Sequence, residues 1–288
     1  TSTENNGERI LPDIAKAIED KLTEKNIAKD AVVGVGIGVP GPVNENGEVP
    51  CAVNLHWGFT PIEKELSEMT GLTVKAGNDA NVAALGELWK GGGAGCHNMI
   101  MVTLGTGVGG GIVTNGRPWS GCHGVGSEIG HIPMDIGGIP CTCGNEGCLE
   151  RYCSATAIIR MGKQILQQHP ESLMMEMVGG DPEKLNAKIV FDAARELDNA
   201  AMKVFTTYVD YLAKACYTII AFLDPEVIVL GGGVSKAGAF LLDAVRARVP
   251  KYLLFKTLPY SRIELARLGA DAGMIGAALL VPSEPFRD

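Results

Sequence analysis

Short apolar runs that end in glycine-rich turns recur along the chain and constrain its fold most strongly. Three of them read AVVGVGIGVPG, NMIMVTLGTGVGGG and VIVLGGGVS. An apolar run of this length that stops at glycine or proline is typical of a strand buried on both faces. Patterns with apolar residues three or four positions apart, such as ILPDIAKAIEDKLTEKN, accompany these runs and predict helices. This alternation predicts an α/β protein with a mostly parallel sheet.

The amino-acid composition limits the size of the protein's domains and the classes of partner that it can bind. The 288 residues are 46% hydrophobic, which is enough for one large domain or two modest ones. A formal net charge of −8 argues against a nucleic-acid surface, and no apolar run reaches the ~18 residues of a membrane span. Eight cysteines in a long, core-rich chain do not suggest a disulfide framework, so we expect a reducing cytoplasm.

The segment GGGAG at positions 91–95 has the most flexible composition and predicts a domain boundary. We expect residues 1–92 to be the remainder of a smaller N-terminal α/β domain. Residues 93–288 would form a larger C-terminal α/β domain, whose last helix could pack back on the first domain.

The stretch LGTGVGGG at 104–111 matches G-x-G-x-x-G, the fingerprint of a dinucleotide-binding turn. Such a turn needs a helix directly after it, but three glycines, the β-branched Ile112 and Val113, Asn-Gly and Pro follow instead. No Gly-Lys-Ser/Thr follows either, which excludes a P-loop. We interpret the stretch as strand, glycine hairpin and strand. The hairpin could hold phosphate on its backbone N–H groups, or it could be only a tight turn that needs positive φ. The candidate phosphate-binding residues are Gly105, Thr106 and Gly107.

A second glycine cluster lies between an apolar run and a predicted helix near Ser235. It could receive the adenosine or phosphate part of a nucleotide, or it could serve close helix–strand packing. Its residues are Gly231, Gly232 and Gly233.

Three cysteines occur within eight residues, spaced C-x-C-x4-C, with a histidine ten residues upstream. Three thiolates and one imidazole complete a tetrahedral zinc site and leave no open coordination position, so the metal would be structural. The alternative is a set of buried free cysteines. The candidate ligands are His131, Cys141, Cys143 and Cys148.

Asn78 and Asp79 stand where a predicted strand meets a predicted helix. Both residue types favour the N-cap, which is one interpretation. An aspartate kept ionised by a helix N-terminus can also accept a hydroxyl proton. With Glu128, His131 and Glu150, the two residues make a set suited to a polyhydroxylated ligand.

These motifs together resemble the ROK family (repressor, open reading frame, kinase) and, by overall similarity, its bacterial ATP-dependent glucokinases. The segments that carry the resemblance are GIGVPGPV, NLHW, NDANVAALGELWKG, VTLGTGVGGGI, GSEIGHI, CTCGNEGCLE, SATAI, VIVLGGGVS and LGADAGMIGAA. The resemblance implies an actin-like, ribonuclease-H-type fold of two α/β domains, with sugar and ATP in the cleft. It also implies a homodimer and a place in glycolysis.

The resemblance implies roles for particular residues. Asp79 would be the general base that takes the proton of the sugar 6-hydroxyl. His131 would use one ring nitrogen for zinc and the other for sugar. Mg²⁺ would accompany ATP, with phosphates at Gly105–Gly107 and adenosine near Gly231–Gly233. The sugar ligands would be Asn54, Asn78, Asp79, Glu128, His131 and Glu150.

One departure from the family pattern concerns its first phosphate loop, Asp-x-Gly-Gly-Thr after an initial strand. Asp135–Gly138 is similar, but Ile139 replaces the threonine and Pro140 follows, so it is not the counterpart. We therefore expect the N-terminal strands and that loop to be missing. The 288-residue polypeptide would then be nearly inactive, whereas its full-length parent would be a kinase.

Two alternatives stay open. One is a sugar-responsive repressor of the same family, although a repressor needs neither Asp79 nor the phosphate hairpin. The other is a kinase for fructose, mannose, N-acetylmannosamine or N-acetylglucosamine.

Overall fold

The computed structural model describes residues 3–281. By contacts these residues form two compact units. The first holds the residues up to His97, the segment Gly111–Ser127 and the residues from Leu268 onwards; the second holds Asn98–Gly110 and Glu128–Arg267. As a division into folding domains, the boundary between residues 92 and 93 stays a prediction.

The described residues contain eleven α-helices and seven strands, as the α/β prediction requires. The helices are α1 (Ile10–Glu24), α2 (Ile62–Thr70), α3 (Asp79–Lys90), α4 (Glu150–Cys153), α5 (Ala155–Leu166), α6 (Leu173–Met177), α7 (Ala187–Arg195), α8 (Asn199–Leu223), α9 (Gly232–Ser235), α10 (Ala239–Arg248) and α11 (Asp271–Leu280). The strands are β1 (Val35–Val39), β2 (Val74–Asn78), β3 (Met99–Leu104), β4 (Val108–Thr114), β5 (Arg117–Pro118), β6 (Val227–Gly231) and β7 (Arg262–Leu265).

The first unit is built on the parallel pair β1 and β2, which runs in register from Val35 opposite Val74 to Val39 opposite Asn78. Helix α11 lies very close to this pair and to α3. A Cβ atom at Gly36 would stand 1.7 Å from the Ala277 carbonyl oxygen. Gly86 and Gly276 permit a similarly close approach between α3 and α11. Glycine is therefore required where the backbones meet.

Glu87 anchors the end of α3. Its side chain is fully buried. One carboxylate oxygen accepts a hydrogen bond from the Gly92 amide at 2.8 Å, and the other accepts one from the Leu268 amide at 2.8 Å. The carboxylate thus ties the glycine segment after α3 to the segment that leads into α11.

We expect Glu87→Gln to lower the free energy of unfolding by about 1–3 kcal/mol, because glutamine keeps only one acceptor oxygen and points N–H groups at a backbone donor. Thermal denaturation measures this. Glu68→Gln, at an exposed position of α2, is the matched control. An equal melting temperature for the Glu87 and Glu68 variants would contradict the anchoring role.

The second sheet has the strand order β5-β4-β3-β6-β7. Strand β3 pairs in parallel with β6, with Thr103 opposite Gly231, and β6 pairs in parallel with β7. The predicted strand, hairpin and strand at residues 99–114 is confirmed. Because β3 and β6 are parallel neighbours, the glycine turns that follow them lie at the same edge of the sheet.

Helix α8 is the long central helix of the second unit and contacts α5, α7 and α10. Its buried face includes Tyr208 and Leu212, both fully inaccessible. No helix within residues 3–281 has both the length and the apolar character needed to cross a bilayer.

Candidate active site

The N-terminus of α3 carries the candidate base. Asn78 is the N-cap: its side-chain oxygen accepts hydrogen bonds from the amides of Ala80 and Asn81, at 3.0 and 3.2 Å. Its amide group donates to the Gly41 carbonyl at 3.2 Å. The N-cap interpretation therefore holds for Asn78, and this cap fixes the direction in which the next residue, Asp79, leaves the helix.

Asp79 presents its carboxylate at this helix start. Its Oδ1 accepts a hydrogen bond from the Ala80 amide at 2.8 Å. The residue reaches solvent, yet partial burial of the carboxyl group raises its pKa, and the Ala80 hydrogen bond acts in the opposite direction. A carboxylate whose pKa is raised is a better proton acceptor than an ordinary aspartate.

Asn54 lies in a single turn, Val53–Leu55, which stands between the bridged residues Ala52 and Trp57. Its side chain is exposed. Gly41, the residue that Asn78 contacts, lies close to this segment: a Cβ atom there would stand 3.2 Å from the Ala52 Cβ. The first unit therefore brings the segments of Asn54 and Asn78 to the same turn.

Asn81 is a residue of this region whose role sequence reasoning missed. It is only 2% exposed. Its side-chain oxygen accepts from the Ile112 amide at 2.9 Å, and its amide group donates to the Ser120 hydroxyl at 3.2 Å. Asn81 thus holds α3 to the chain that follows the glycine hairpin. The sequence signal that could have identified Asn81 is its position as the last residue of the segment NDAN.

The glycine hairpin of the second unit is closed by a hydrogen bond from the Gly105 amide to the Gly107 carbonyl at 2.9 Å. The start of α5 engages its carbonyl groups: Ala155 donates to Gly105 at 2.7 Å and Thr156 to Thr106 at 2.9 Å. Within residues 3–281, the amides of Thr106 and Gly107 have no partner. Free amides on a narrow turn are what an anion binds.

Three predicted site segments of the second unit converge on Val108, the first residue of β4. Glu150 accepts a hydrogen bond from the Val108 amide at 3.0 Å. The turn Ile129–His131 packs against the Val108 carbonyl, since a Cβ atom at Gly130 would stand 1.9 Å from that oxygen. Glu128 stands at the N-cap position of the same turn without a side-chain capping hydrogen bond, and it is exposed. The hairpin, the histidine loop and Glu150 are therefore neighbours.

The four candidate metal ligands form one cluster. Their ligand atoms all lie within 4.8 Å of one another. The Cys141 sulfur is 3.7 Å from His131 Nδ1, and the Cys143 and Cys148 sulfurs are 3.6 Å apart. Ligands on a tetrahedron of zinc-length bonds stand about 3.8 Å apart. The donor set and its spacing fit a tetrahedral metal ion.

The chemistry of the thiols points the same way. Burial and the two neighbouring thiols raise the pKa of Cys148 to about 12. A thiol that coordinates a metal ion is deprotonated, so a cation in the cluster would bring Cys148 into its thiolate form.

In the second glycine cluster, two glycines are packed closely against other residues and the third is not. A Cβ atom at Gly232, where φ is +83°, would stand 2.5–2.7 Å from the Leu104 backbone, and one at Gly231 would stand 2.6 Å from Met101 Cε. At Gly233 nothing lies within 4 Å. Close packing therefore explains Gly231 and Gly232, whereas Gly233 faces open space.

We expect Gly232→Ala to destabilise the protein by about 2–4 kcal/mol, because it adds both a left-handed strain and an overlap with backbone atoms. Gly233→Ala should change the free energy of unfolding by less than about 0.5 kcal/mol. Urea denaturation of the two variants compares them directly. Similar midpoints would show that the turn relaxes around the new methyl group.

A cavity of about 400 Å³ opens beside Gly233. Phe191, Val234 and Ala237 give it an apolar lining, and its other residues are Ala155, Ala187, Lys188, Asp192, Arg195 and Lys236. Three of its charged residues pair with one another: Asp192 lies 2.5 Å from both Lys188 and Arg195. Sequence reasoning named only Gly233 here.

A family model described as "ROK family" matches residues 2–284. The chain belongs to the ROK family. It is 42% identical to a glucokinase of Halalkalibacterium halodurans, over 99% of this chain and 86% of that protein. It is 30% identical to a putative xylose repressor of a Caldicellulosiruptor species, over 96% of this chain and 69% of that protein.

A solved ROK glucokinase from Streptomyces griseus, in complex with glucose and AMPPNP, is 34% identical. The match covers 94% of this chain and 88% of that chain, with a TM-score of 0.75. The ROK membership and the actin-like fold expected from the sequence are both confirmed.

The segment Asp135–Gly138, which is not the counterpart of the ROK phosphate loop, has a structural role. The Asp135 carboxylate accepts a hydrogen bond from the Tyr152 hydroxyl at 3.1 Å. Its carbonyl oxygen would stand 1.7 Å from a Cβ atom at Gly147. These contacts hold the loop before the cysteines against α4.

Proposed function

We propose that this protein is an ATP-dependent glucokinase, a hexose 6-phosphotransferase of the ROK family. The observation that carries the proposal is the match along nearly the whole chain to a ROK glucokinase solved with glucose and AMPPNP. The curated relative that is 42% identical is also a glucokinase. Glucose and ATP are therefore the proposed substrates.

In the proposed reaction, the 6-hydroxyl oxygen of glucose attacks the γ-phosphorus of ATP. The new O–P bond forms as the bond to the β-phosphate oxygen breaks, and ADP leaves. Asp79 takes the hydroxyl proton, and its raised pKa supports that role. Phosphoryl transfer depends mainly on alignment and charge neutralisation. Mg²⁺, bound with ATP, would supply part of that neutralisation.

The remaining predicted residues divide between sugar and nucleotide. The free amides of Thr106 and Gly107 would bind phosphate oxygens, and the cavity beside Gly233 would receive the adenosine. The sugar hydroxyls would bind to Asn54, Asn78, Glu128, His131 and Glu150. Site groups that pair with each hydroxyl would reject sugars that lack it.

The proposed ion in the four-residue cluster is Zn²⁺. Three sulfur donors and one imidazole suit it, and four protein ligands leave no position for a reacting group. Because His131 turns Nδ1 toward Cys141, its Nε2 would be available to the sugar. The metal would then orient a substrate ligand without taking part in the reaction.

The same proposal includes assembly as a homodimer and a role in glycolysis in the cytoplasm. Exposed apolar side chains at the end of α8 and in the segment after α10 support a protein–protein surface. They are Phe222, Leu223, Leu254, Phe255 and Leu258. The molar mass in solution, measured by light scattering, tests the dimer.

A coupled assay of ADP release tests the function on the full-length protein. We expect glucose to give the highest kcat/KM, above those for fructose, mannose, N-acetylmannosamine and N-acetylglucosamine. If the protein binds one of these sugars but releases no ADP in the presence of ATP and any of them, the repressor alternative is favoured.

A further inference from the structure

The two free amides of the glycine hairpin belong to the two peptide units that the start of α5 holds. Because a trans peptide unit is planar, its N–H and C=O groups point to opposite sides. The Gly105 carbonyl and the Thr106 amide share one unit, and the Thr106 carbonyl and the Gly107 amide share the next. The Ala155 amide donates to the first carbonyl at 2.7 Å, and the Thr156 hydroxyl donates to the second at 2.9 Å. Each bond therefore fixes the direction of a free N–H group on the far side of its peptide unit.

The next peptide unit, between Gly107 and Val108, is held from both sides. Its carbonyl accepts a hydrogen bond from the Gly105 amide at 2.9 Å, and its N–H group donates to Glu150 at 3.0 Å. Neither group of this unit is available to a ligand. In the described part of the chain, the hairpin thus keeps its free donors on the two units whose carbonyls α5 holds.

A chain of hydroxyl groups sets the direction of the Thr156 bond. A carbonyl oxygen only accepts, so the single hydroxyl proton of Thr156 goes to Thr106. The Ser154 and Thr156 hydroxyl oxygens are 2.8 Å apart, and Ser154 is therefore the donor between them. Ser154 is 1% exposed and accepts from the Ala157 amide at 3.1 Å as the N-cap of α5. The helix start is thus joined to the hairpin through two hydroxyl groups whose protons are both used.

We propose that Thr156 is a positioning residue for the phosphate groups of ATP and acts through the Thr106 carbonyl, without contact with the nucleotide. The inference rests on the proposed function, which places ATP phosphates at this hairpin. Without the Thr156 hydroxyl, the peptide unit between Thr106 and Gly107 is free to turn, and the Gly107 amide loses its fixed direction. Donors held in place before the ligand arrives bind it better, because binding need not order them. The loss should therefore weaken phosphate binding and leave sugar and adenosine binding unchanged.

Calorimetric titration of the full-length protein with AMPPNP and Mg²⁺, and separately with adenosine, tests the proposal. Thr156→Val replaces the hydroxyl with a methyl group of similar size. We expect it to raise the Kd of AMPPNP about 3–10-fold, the range that corresponds to the loss of one hydrogen bond. The Kd of adenosine, which has no phosphate group, should not change. In steady-state kinetics the KM for ATP should rise, whereas the KM for glucose and the melting temperature should stay the same.

Two further variants are controls. Thr156→Ser keeps the hydroxyl and should bind AMPPNP as the unmodified protein does. Thr207→Val is the matched control, because it removes an exposed hydroxyl of α8 that donates to the Lys203 carbonyl at 2.9 Å, and it should also leave the affinity for AMPPNP unchanged. Thr156→Ala removes the same hydroxyl and provides the test if the valine variant does not fold.

The outcomes separate this inference from the proposed function. Equal affinity of Thr156→Val and the unmodified protein for AMPPNP would overturn the inference alone. An equal loss of affinity for AMPPNP and adenosine would also overturn it, because the change would then not be specific to the phosphate groups. An unmodified protein that binds no AMPPNP would overturn both the inference and the proposed use of ATP.

Discussion

Replacing Asp79 with asparagine should lower kcat for hexose phosphorylation by about 10²–10⁴-fold. Asparagine has nearly the same shape, but its amide cannot take the proton of the 6-hydroxyl. The Asn78 cap does not involve the carboxylate of its neighbour, so α3 should remain folded. The loss should therefore fall on kcat, with little change in KM or melting temperature.

Steady-state kinetics with glucose and ATP measure this loss. The matched control is Asp13→Asn, which removes an aspartate from the first turn of α1 and should leave kcat unchanged. Retention of more than about a tenth of the activity by the Asp79 variant would contradict its role as the base.

The raised pKa of Asp79 also predicts the acid side of the pH profile. The carboxylate must be ionised to accept a proton, so kcat/KM falls as pH drops through its pKa in the free enzyme. Because partial burial raises that pKa, the fall should begin at a higher pH than an unperturbed aspartate would give. A pH series of kcat/KM measures it, and a profile that stays flat down to the pKa of ordinary aspartate would contradict the assignment.

Removal of the metal is the second change from which we expect a large effect, on both stability and activity. Four ligands that converge from one loop would gain their order from the proposed ion, and apparent binding free energies in small zinc sites are on the order of 10 kcal/mol. We expect a strong chelator to lower the melting temperature sharply and to abolish activity, because His131 belongs to the same cluster. Added Zn²⁺ should restore both.

Elemental analysis should find one zinc ion per chain in the unmodified protein and none in Cys148→Ser. Cys51→Ser is the control, since that cysteine is exposed and outside the cluster, and it should keep its metal. A protein that purifies without metal and does not respond to the chelator would contradict the zinc proposal.

Much of the fold is predictable because its signals are local. The helix α2 follows Pro61 and ends where Gly71 adopts φ +64°, and both residues mark those ends in the sequence. The glycine hairpin is equally local, since β-branched residues after it exclude a helix. The close packing of α11 on α3 and β1 is not, because it joins glycines more than 180 positions apart, such as Gly86 and Gly276.

The candidate site also contains residues that the sequence reveals and residues that only the fold brings together. Polar residues and candidate metal ligands, such as Asp79 and Cys148, are visible because their types are unusual at such spacings. The cavity beside Gly233 is lined by Phe191 and Ala237, which look like ordinary core residues until the fold brings them together.

The most direct test of the kinase proposal is the identity of the product. Phosphorus NMR of the full-length protein with ATP, Mg²⁺ and glucose should show glucose 6-phosphate forming in step with ADP. Release of inorganic phosphate in place of the sugar phosphate, or a phosphate on another hydroxyl, would contradict the assignment of Asp79 to the 6-hydroxyl.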